Sequence, residues 1–349
     1  MSHTNIALFV SHMGCQMKCS FCNQHIITGN SGLVTKEDVN KAVQKALKSG
    51  HKGAQLAFFG GSFTAVDRDY MLSLLEAAGP FIKNGDISGI RISTRPDFID
   101  ADILKILKSY GVTAIELGAQ SMDDGVLAQN DRGHTSDDVL NASLMIKQYG
   151  FELGVQMMTG LYTDTDEKSL STAQKLAKLG PQTIRIYPTV VLKGTKLHEL
   201  YLKGEYVPQT LDQAVNLCSR LILFFESMEI NVIRVGLHSG GAVEEGFVAG
   251  AYHPAFKELC ESKIYLDKAL QKIDQEADLE CDKNSGLKSG EPAVKAGYTL
   301  FVSPGEISKM TGHKKSNIIE LDKKGFSCKV KQDNALKKYD IRVEKDGKK

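Results

Sequence analysis

The chain has 349 residues, of which 42% are hydrophobic and 24% charged, enough for one large domain and a small one. No apolar stretch approaches the roughly 18 residues that span a membrane. The N-terminal run IALFV is too short for a signal peptide, so we expect a cytoplasmic protein without a membrane partner. Seven cysteines, an odd count, argue against a disulfide framework and favour metal binding.

The net charge of +1 conceals a difference between the two parts of the chain. Residues 282–349 contain 16 Lys and Arg against 9 Asp and Glu, whereas residues 1–281 contain 27 against 33. A basic C-terminal segment on a mildly acidic body is consistent with an anionic partner. It is equally consistent with a solvated lysine-rich surface, and charge alone leaves both interpretations open.

Short apolar runs alternate with amphipathic stretches through the first two-thirds of the chain. Strands are predicted at 5–12, 54–60, 89–95, 112–120, 151–159, 183–189 and 231–237, and helices at 35–49, 68–78, 100–110, 135–149, 166–179 and 211–228. The continuous apolar runs are typical of parallel strands buried on both faces. The alternation predicts right-handed βαβ units, with ligands at the carboxyl ends of the strands. Periodicity does not choose between an open sheet and a partial barrel.

The domain boundaries follow from composition. We expect a main domain in residues 1–240 and an extension in 241–281 that packs on it. Residues 282–297, rich in Gly and Lys, are predicted to be a linker. Residues 298–349 are predicted to form a small α+β module with one strand, two helices and two further strands.

Cys15, Cys19 and Cys22 lie close together in GCQMKCSFCNQ, directly after the first predicted strand. Three thiolates on a loop can hold three irons of a [4Fe–4S] cluster and leave one iron open, whereas electron-transfer clusters take four cysteines. The alternative is zinc with His25 as the fourth ligand, although zinc sites usually draw ligands from separated segments. The spacing favours the iron–sulfur cluster.

The string CQMKCSFC, with the aromatic Phe21 before the last cysteine, resembles the signature loop of the radical S-adenosylmethionine (SAM) enzymes. The resemblance implies a [4Fe–4S] cluster whose open iron binds SAM. It also implies reductive cleavage of SAM to a 5′-deoxyadenosyl radical, which abstracts hydrogen from a substrate. An electron donor such as flavodoxin or ferredoxin follows from the same resemblance.

The string FFGGSFT ends the second predicted strand, where the family holds the methionine amino group with a Gly-Gly-Glu-like motif. Gly60 and Gly61 permit close approach of the backbone. Ser62 stands in the acidic position, so Thr64 or backbone carbonyls must serve. Other cofactor-binding candidates lie near the ends of later strands: Ser93, Arg95, Glu116, Gln120, Met157 with its neighbour Met158, and Tyr187.

Structural roles compete with these assignments. Gly60–Gly61 can form a tight turn, Arg95 can bridge loops, and Met157 can belong to the core. Glu116 lies inside an apolar strand and needs a partner, because burying an unpaired carboxylate is costly. The candidates for substrate contact are Arg132, His134, Arg185, Arg234, His238 and His253. The alternatives are that these residues cap the edge of the barrel or, for a histidine, that it has a structural role with its hydrogen bonds satisfied.

Several strings are more specifically similar to the radical SAM domain of the catalytic subunit of Elongator: STRPD, ELGAQSMDDGVL, RGHT and IRIYPTVVLKGTKLHELYLKGEYVP. This resemblance covers about residues 5–210. It implies a partial TIM barrel of six βα units and modification of wobble uridines in transfer RNA with an acetyl-CoA-derived radical. Residues 211–349 contain no acetyltransferase pattern, so we expect a shorter bacterial form whose use of acetyl-CoA is open.

The string SKMTGHKKSNIIELDKKG (308–325) resembles the helix–loop–helix of KH domains, in which a Gly-x-x-Gly loop clamps the nucleic-acid backbone. The second glycine is absent. Gly312, Lys314 and Lys315 are nevertheless candidates for contact with RNA phosphates. The alternative is a lysine-rich dimerisation or docking module.

The sequence is therefore interpreted as a radical SAM enzyme that modifies RNA, with transfer RNA as the first candidate. One alternative is radical chemistry on a small metabolite, as in the oxygen-independent coproporphyrinogen oxidases. The other is a non-catalytic factor that binds RNA or protein and keeps the cluster.

Overall fold

The computed structural model describes residues 5–10, 19–28, 32–237, 241–281 and 295–346; for residues 25, 28, 241 and 277–281 it describes the backbone alone. The chain divides into two compact units. The first comprises Met1–Ala214 and Leu221–Pro254, and the second comprises Val215–Arg220 and Ala255–Lys349. The boundaries predicted at residues 240, 281 and 297 stay a prediction, and most of the predicted linker lies outside the described residues.

A curled parallel sheet dominates the first unit. Its strands are β1 (Asn5–Val10), β2 (Ala54–Gly60), β3 (Ile87–Thr94), β4 (Val112–Gln120), β5 (Glu152–Thr159), β6 (Thr183–Pro188), β7 (Val190–Leu192), β8 (Asn231–Val235) and β9 (Phe247–Gly250). Seven of them pair in the order β1-β2-β3-β4-β5-β6-β8, and β7 pairs with β9 in a small antiparallel sheet. The predicted partial barrel is confirmed, with seven parallel strands.

Helices connect the strands and cover the outside of the sheet. They are α1 (Gln24–Thr28), α2 (Lys36–Lys48), α3 (Arg68–Lys83), α4 (Ala101–Ser109), α5 (Asp124–Gln129), α6 (Ser136–Gln148), α7 (Asp166–Lys178), α8 (Lys196–Leu202), α9 (Leu211–Ser227) and α10 (Gly241–Gly246). Capping boxes start α2 at Thr35 and α6 at Thr135, where a threonine hydroxyl and an aspartate satisfy free backbone amides. These caps define where the loops at the rim of the barrel end.

The burial of the strands explains why the sequence lacks alternation. β3 and β4 are buried at nearly every position, and Leu56, Ala57 and Phe58 of β2 are fully buried in succession. One face meets the helices and the other faces the barrel interior, so both faces exclude water. Most side chains that fill the barrel interior are apolar. The main exceptions are buried charged residues on β3 and β4, which belong to the site described below.

The second unit is a small α+β module. It contains α11 (Phe256–Cys281), β10 (Ala296–Val302), α12 (Ile307–Thr311), α13 (Ser316–Lys323), β11 (Phe326–Gln332) and β12 (Ile341–Lys345). The sheet order is β11-β10-β12, with β10 parallel to β11 and antiparallel to β12. The predicted order of one strand, two helices and two strands is confirmed. The length of α11 was not predicted.

Among the described residues, no helix combines the length and apolarity that crossing a membrane requires.

Candidate functional site

A cavity of about 1150 Å³ opens at the carboxyl ends of the parallel strands in the first unit. Its wall draws on the ends of β2 to β6 and β8 and on the segment that follows Cys19. Eight of the predicted cofactor-binding residues lie on this wall: Phe21, Gly60, Gly61, Ser62, Ser93, Arg95, Gln120 and Tyr187. The rule that ligands bind at the carboxyl ends of parallel strands therefore located the cavity correctly.

Cys19 and Cys22 lie on the cavity wall, and the amide of Cys22 donates to the carbonyl of Cys19 at 3.1 Å. Cys15, the third predicted ligand, lies outside the described residues. Between the two described cysteines, Ser20 is fully buried and acts as an anchor. Its hydroxyl donates to Asn130 Oδ1 at 2.8 Å, and its carbonyl accepts from the amide of Leu197 at 2.7 Å.

Arg132 connects the cysteine segment to the barrel. Its Nη1 donates to Cys19 Sγ at 3.1 Å, and its Nη2 donates to the carbonyl oxygen of Gly118 at 2.6 Å. The side chain is buried, and its Nε has no hydrogen-bond partner among the described residues. The guanidinium thus places a hydrogen-bond donor and a positive charge beside the sulfur of a predicted cluster ligand. The sequence interpretation had placed Arg132 among substrate contacts and missed this relationship.

The Gly-Gly turn brings backbone close to the end of β1. Gly60 has φ +109, and a Cβ there would lie 3.1 Å from the carbonyl oxygen of Val10. The amide of Gly61 donates to that same oxygen at 3.0 Å, and Gln24 Nε2 donates to the carbonyl of Gly60 at 2.8 Å. Only glycine fits this conformation without strain, and the bare backbone forms part of the cavity wall.

Hydroxyl groups behind the Gly-Gly turn are bonded to one another. Thr94 Oγ1 lies 2.8 Å from Ser62 Oγ and 2.5 Å from Thr64 Oγ1, and Ser62 Oγ accepts from the amide of Arg95 at 3.2 Å. Arg95 donates from Nε and Nη2 to both carboxylate oxygens of Asp97, at 2.9 and 2.7 Å. Arg95 therefore forms an ion pair within its own loop, and this pair tests neither its predicted cofactor contact nor the alternative that it bridges loops.

Glu116 is fully buried and has the partners that its position requires. It accepts from Arg91 Nη1 at 3.3 Å and from Arg185 Nε and Nη2 at 2.6 and 3.0 Å. Gln156 Nε2 donates to it at 3.1 Å, and Arg91 also donates to Glu152 at 2.7 Å. The pKa of Arg185 is raised: burial alone would lower it, but the carboxylate of Glu116 and the hydroxyl of Tyr187 together outweigh burial. These residues form a network of buried ion pairs inside the barrel.

Gln120 and Met158 lie at neighbouring strand ends. Gln120 has φ 65, and its Oε1 is buried without a hydrogen-bond partner among the described residues. Strained backbone and an unsatisfied acceptor together are typical of a ligand-binding position. Met158 lies on the cavity wall, whereas Met157 is fully buried, so the alternative that places Met157 in the core is the one observed.

The remaining predicted residues divide between wall and surroundings. Arg185 and Arg234 lie on the cavity wall with Arg132. Among the described residues, the wall does not include Thr64, Glu116, Met157, His134 or His253. His134 is buried, with Nε2 3.2 Å from the carbonyl of Ala119; burial, with help from the charge of Arg132, lowers its pKa to about 4. His238 lies outside the described residues.

The predicted RNA-binding loop follows α12 in the second unit. Gly312 has φ 83, and a Cβ there would collide with Ser316 and Asn317, so glycine is required. Lys314 and Lys315 follow with φ 52 and 65, and both are exposed. Both lysines thus have a left-handed backbone conformation, which residues other than glycine rarely adopt. The role of this loop in binding RNA stays a prediction.

The residues present fit a cluster and SAM. Two of three predicted thiol ligands share the cavity wall, a buried guanidinium contacts one of them, and a buried amide oxygen of Gln120 lacks a protein partner. The residues that sequence reasoning missed are mainly partners: Ser20, Asn130, Arg91, Asp97 and Gln156. A polar residue between two cysteines and a basic residue inside an apolar strand were the available signals for Ser20 and Arg91.

Comparison with known proteins agrees with this geometry. The radical SAM superfamily family model matches residues 10–176, and the model of the radical SAM C-terminal domain matches residues 181–265. The fold is a parallel partial barrel, and the segment with Cys19 and Cys22 lies on the wall of its cavity. The chain belongs to the radical SAM superfamily, whose members are enzymes and use SAM with a [4Fe–4S] cluster. Within the superfamily, it is similar to the Elongator catalytic-subunit group.

The similarity covers part of each relative. The tRNA uridine(34) acetyltransferase of Dehalococcoides mccartyi is 26% identical over 241 residues, 59% of this chain and 52% of that protein. Human Elongator complex protein 3 is 31% identical over 137 residues, 38% of this chain and 25% of that protein. The chain thus spans about half of the first relative and a quarter of the second. The archaeal Elp3 structure from Methanocaldococcus infernus matches with a TM-score of 0.60 at 21% identity, covering 76% of this chain and 63% of that one, and shows the shared fold.

Proposed function

We propose that this enzyme modifies a base of transfer RNA by radical SAM chemistry. The observation that carries the proposal is the meeting of Cys19, Cys22, Arg132 and Gln120 on one cavity at the strand ends. A relative named tRNA uridine(34) acetyltransferase matches 59% of this chain, which supports transfer RNA as the substrate class.

In this proposal each residue on the wall has a task. Cys15, Cys19 and Cys22 hold three irons, and Arg132 orients the Cys19 sulfur and compensates its negative charge. The bare backbone at Gly60 and Gly61, the amide of Gln120 and the side chain of Met158 hold SAM. When bound, the cluster and SAM supply a reductively generated adenosyl radical.

Apolar side chains on the cavity wall also reduce the contact of the reaction with water. Phe9, Phe21, Phe59 and Leu192 lie on its wall, and Phe21 packs against the buried cluster of Val191, Leu197 and Tyr206. Exclusion of water protects a reactive species and strengthens the electrostatic interactions inside the site. Phe21, which lies between the two described cysteines, thus ties the cysteine segment to the apolar cluster around β7 and α8.

The proposal assigns RNA binding to the second unit. Lys314 and Lys315 are exposed on a loop that Gly312 permits, and residues 282–349 carry an excess of positive charge. Lysines on such a loop are suited to contact phosphates without reading sequence. A small electron-transfer protein, flavodoxin or ferredoxin, is proposed as the reductant, because cleavage of SAM needs one electron from outside the chain.

The test is a comparison of nucleosides in transfer RNA from a deletion strain and its parent. We expect one modified nucleoside to disappear in the deletion strain and to return with the wild-type gene. A gene encoding Cys19→Ala should not restore it, whereas one encoding Cys328→Ala, a thiol of the second unit, should. Identical nucleoside profiles in the two strains would contradict the proposal.

A further inference from the structure

One side of the cavity carries two arginines from neighbouring strands. Arg185 on β6 and Arg234 on β8 are register partners in the parallel sheet, and both lie on the cavity wall. Two like charges side by side repel one another unless an anion lies between or beside them. This arrangement therefore needs a counter-charge.

Glu116 supplies only part of that counter-charge. Its two oxygens accept from Arg185 and also from Arg91, and Arg91 pairs with Glu152 as well. The two carboxylates thus balance Arg91 and Arg185 and leave no charge for Arg234. Arg234 Nε donates to the carbonyl of Gly236 at 3.2 Å. Among the described residues, no carboxylate forms an ion pair with Arg234. The positive charge of Arg234 on the cavity wall is thus not balanced by a paired carboxylate.

The other charged side chains on the cavity wall are also positive. Within the described part of the wall, the charged side chains are Arg95, Arg132, Arg185 and Arg234, and neither Asp nor Glu joins them. Arg95 is paired with Asp97, and Arg132 is bonded to Cys19 and Gly118. Arg234 is therefore the guanidinium available for a ligand on the β6 and β8 side of the barrel.

Tyr187, on β6, adds a hydroxyl that is hydrogen-bonded to Arg185 and interacts electrostatically with Arg234. It lies on the wall, and burial raises its pKa despite the nearby charges of Arg185 and Arg234. The phenol therefore stays protonated and can donate a hydrogen bond. Arg185 stacks over Phe59 at 4.8 Å and is held by Glu116, so its orientation is set by the protein.

We propose that Arg234 and Tyr187, with Arg185 as the positioning residue, form a subsite for an oxyanion of the substrate, a phosphate or a carboxylate. Arginine recognises both groups through paired N–H donors. The cavity volume exceeds the usual range of about 300–1,000 Å³ for one ligand, so a second ligand has room beside SAM. The subsite deepens the proposed function by naming the chemistry of its substrate, but its test measures binding alone.

The experiment is calorimetric titration of the anaerobically reconstituted full chain, once with SAM and once without it, and always without reductant, so that no turnover occurs. The probes are inorganic pyrophosphate and malonate, which separate a phosphate source from a carboxylate source. We expect one probe to bind. Arg234→Gln should weaken that binding at least about tenfold, as loss of a charged hydrogen bond predicts, and Arg234→Lys should weaken it less. Arg68→Gln, at an exposed position of α3, should not change it.

Equal affinities for the wild type and Arg234→Gln would overturn the subsite. Loss of probe binding when SAM is added would also overturn it, because the anion would then occupy the place of SAM. If Arg234→Gln loses the circular dichroism spectrum of the folded protein, the affinity of Arg234→Lys for the probe is compared with that of the wild type instead. Unchanged transfer RNA nucleosides in a deletion strain would remove the proposed function while leaving this binding result intact.

Discussion

Arg132 donates a hydrogen bond to Cys19 Sγ at 3.1 Å, and the two residues are 113 positions apart in the chain. The bond joins the loop that follows β4 and α5 to the segment that follows β1. A second bond from the same guanidinium to the carbonyl of Gly118 fixes its position against the end of β4. A buried positive charge therefore lies against the sulfur of a predicted cluster ligand.

This contact predicts an effect on the cluster potential. A cation and a hydrogen bond at a ligand sulfur stabilise the more negative, reduced state of a cluster. Arg132→Met should therefore lower the reduction potential by about 60 mV or more, a tenfold change in a one-electron equilibrium. A redox titration followed by electron paramagnetic resonance measures it, with Arg68→Met as the control. Equal potentials in Arg132→Met and wild type would mean that the contact does not tune the cluster.

The assignment of Cys19 and Cys22 as cluster ligands predicts that their loss, unlike loss of another thiol, removes the iron–sulfur absorbance. Cys19→Ala and Cys22→Ala should each abolish the visible iron–sulfur absorbance after anaerobic reconstitution, because each removes one of three ligands. Cys328→Ala should retain it, since that free thiol lies on β11 of the second unit. Absorbance and iron content measure the outcome. A colourless, zinc-containing wild-type protein would refute the cluster.

The buried charge network predicts a large loss of stability at Glu116. Glu116→Ala leaves Arg91 and Arg185 without their shared carboxylate, and breaking a buried pair in this way costs about 3–5 kcal/mol. Glu76→Ala removes the exposed pair with Lys36 and should cost under about 1 kcal/mol. Urea denaturation compares the two free energies of unfolding. Similar costs for both variants would contradict the role of Glu116 as a shared counter-ion.

The lowered pKa of His134 predicts a dependence of stability on pH. Burial brings its pKa in the folded protein to about 4, whereas the unfolded chain has the ordinary 6.5. As pH falls from about 6.5 to about 4, the unfolded state binds the proton first, so the free energy of unfolding falls by up to about 3 kcal/mol. His134→Gln should reduce this slope, and His51→Gln, at an exposed position, should not. Denaturation curves at several pH values measure it; equal slopes in all three proteins would refute the assignment.

The loop of the second unit predicts salt-sensitive RNA binding. Lys314→Ala combined with Lys315→Ala should weaken binding to transfer RNA and reduce the slope of log affinity against log salt by about 1.5, because each phosphate contact releases counterions. Lys323→Ala combined with Lys324→Ala, at exposed positions at the C-terminal end of α13, is the matched control. Titrations at several salt concentrations measure both. Equal slopes in the two double variants would argue against the loop as a phosphate contact.

Most of the secondary structure was predictable because its signals are local. The strand at 54–60 and the helix at 166–179 were predicted within one residue of their observed ends, since apolar runs and threonine caps mark them. The short elements α5, β7 and β9 escaped prediction. β7 has three residues and depends on pairing with β9, about 60 positions later, and no local pattern reports such a contact.

The sequence by itself determined the parallel βα order, the cysteine loop and the rim of strand ends where the cavity lies. These depend on spacing and periodicity along the chain. Only the tertiary structure decided which partner each charged side chain takes: Arg95 binds Asp97, Arg132 binds Cys19, and Glu116 binds Arg91 and Arg185. A buried charge must find a counter-charge nearby in space, and except for Asp97 those partners come from strands and loops far apart in sequence.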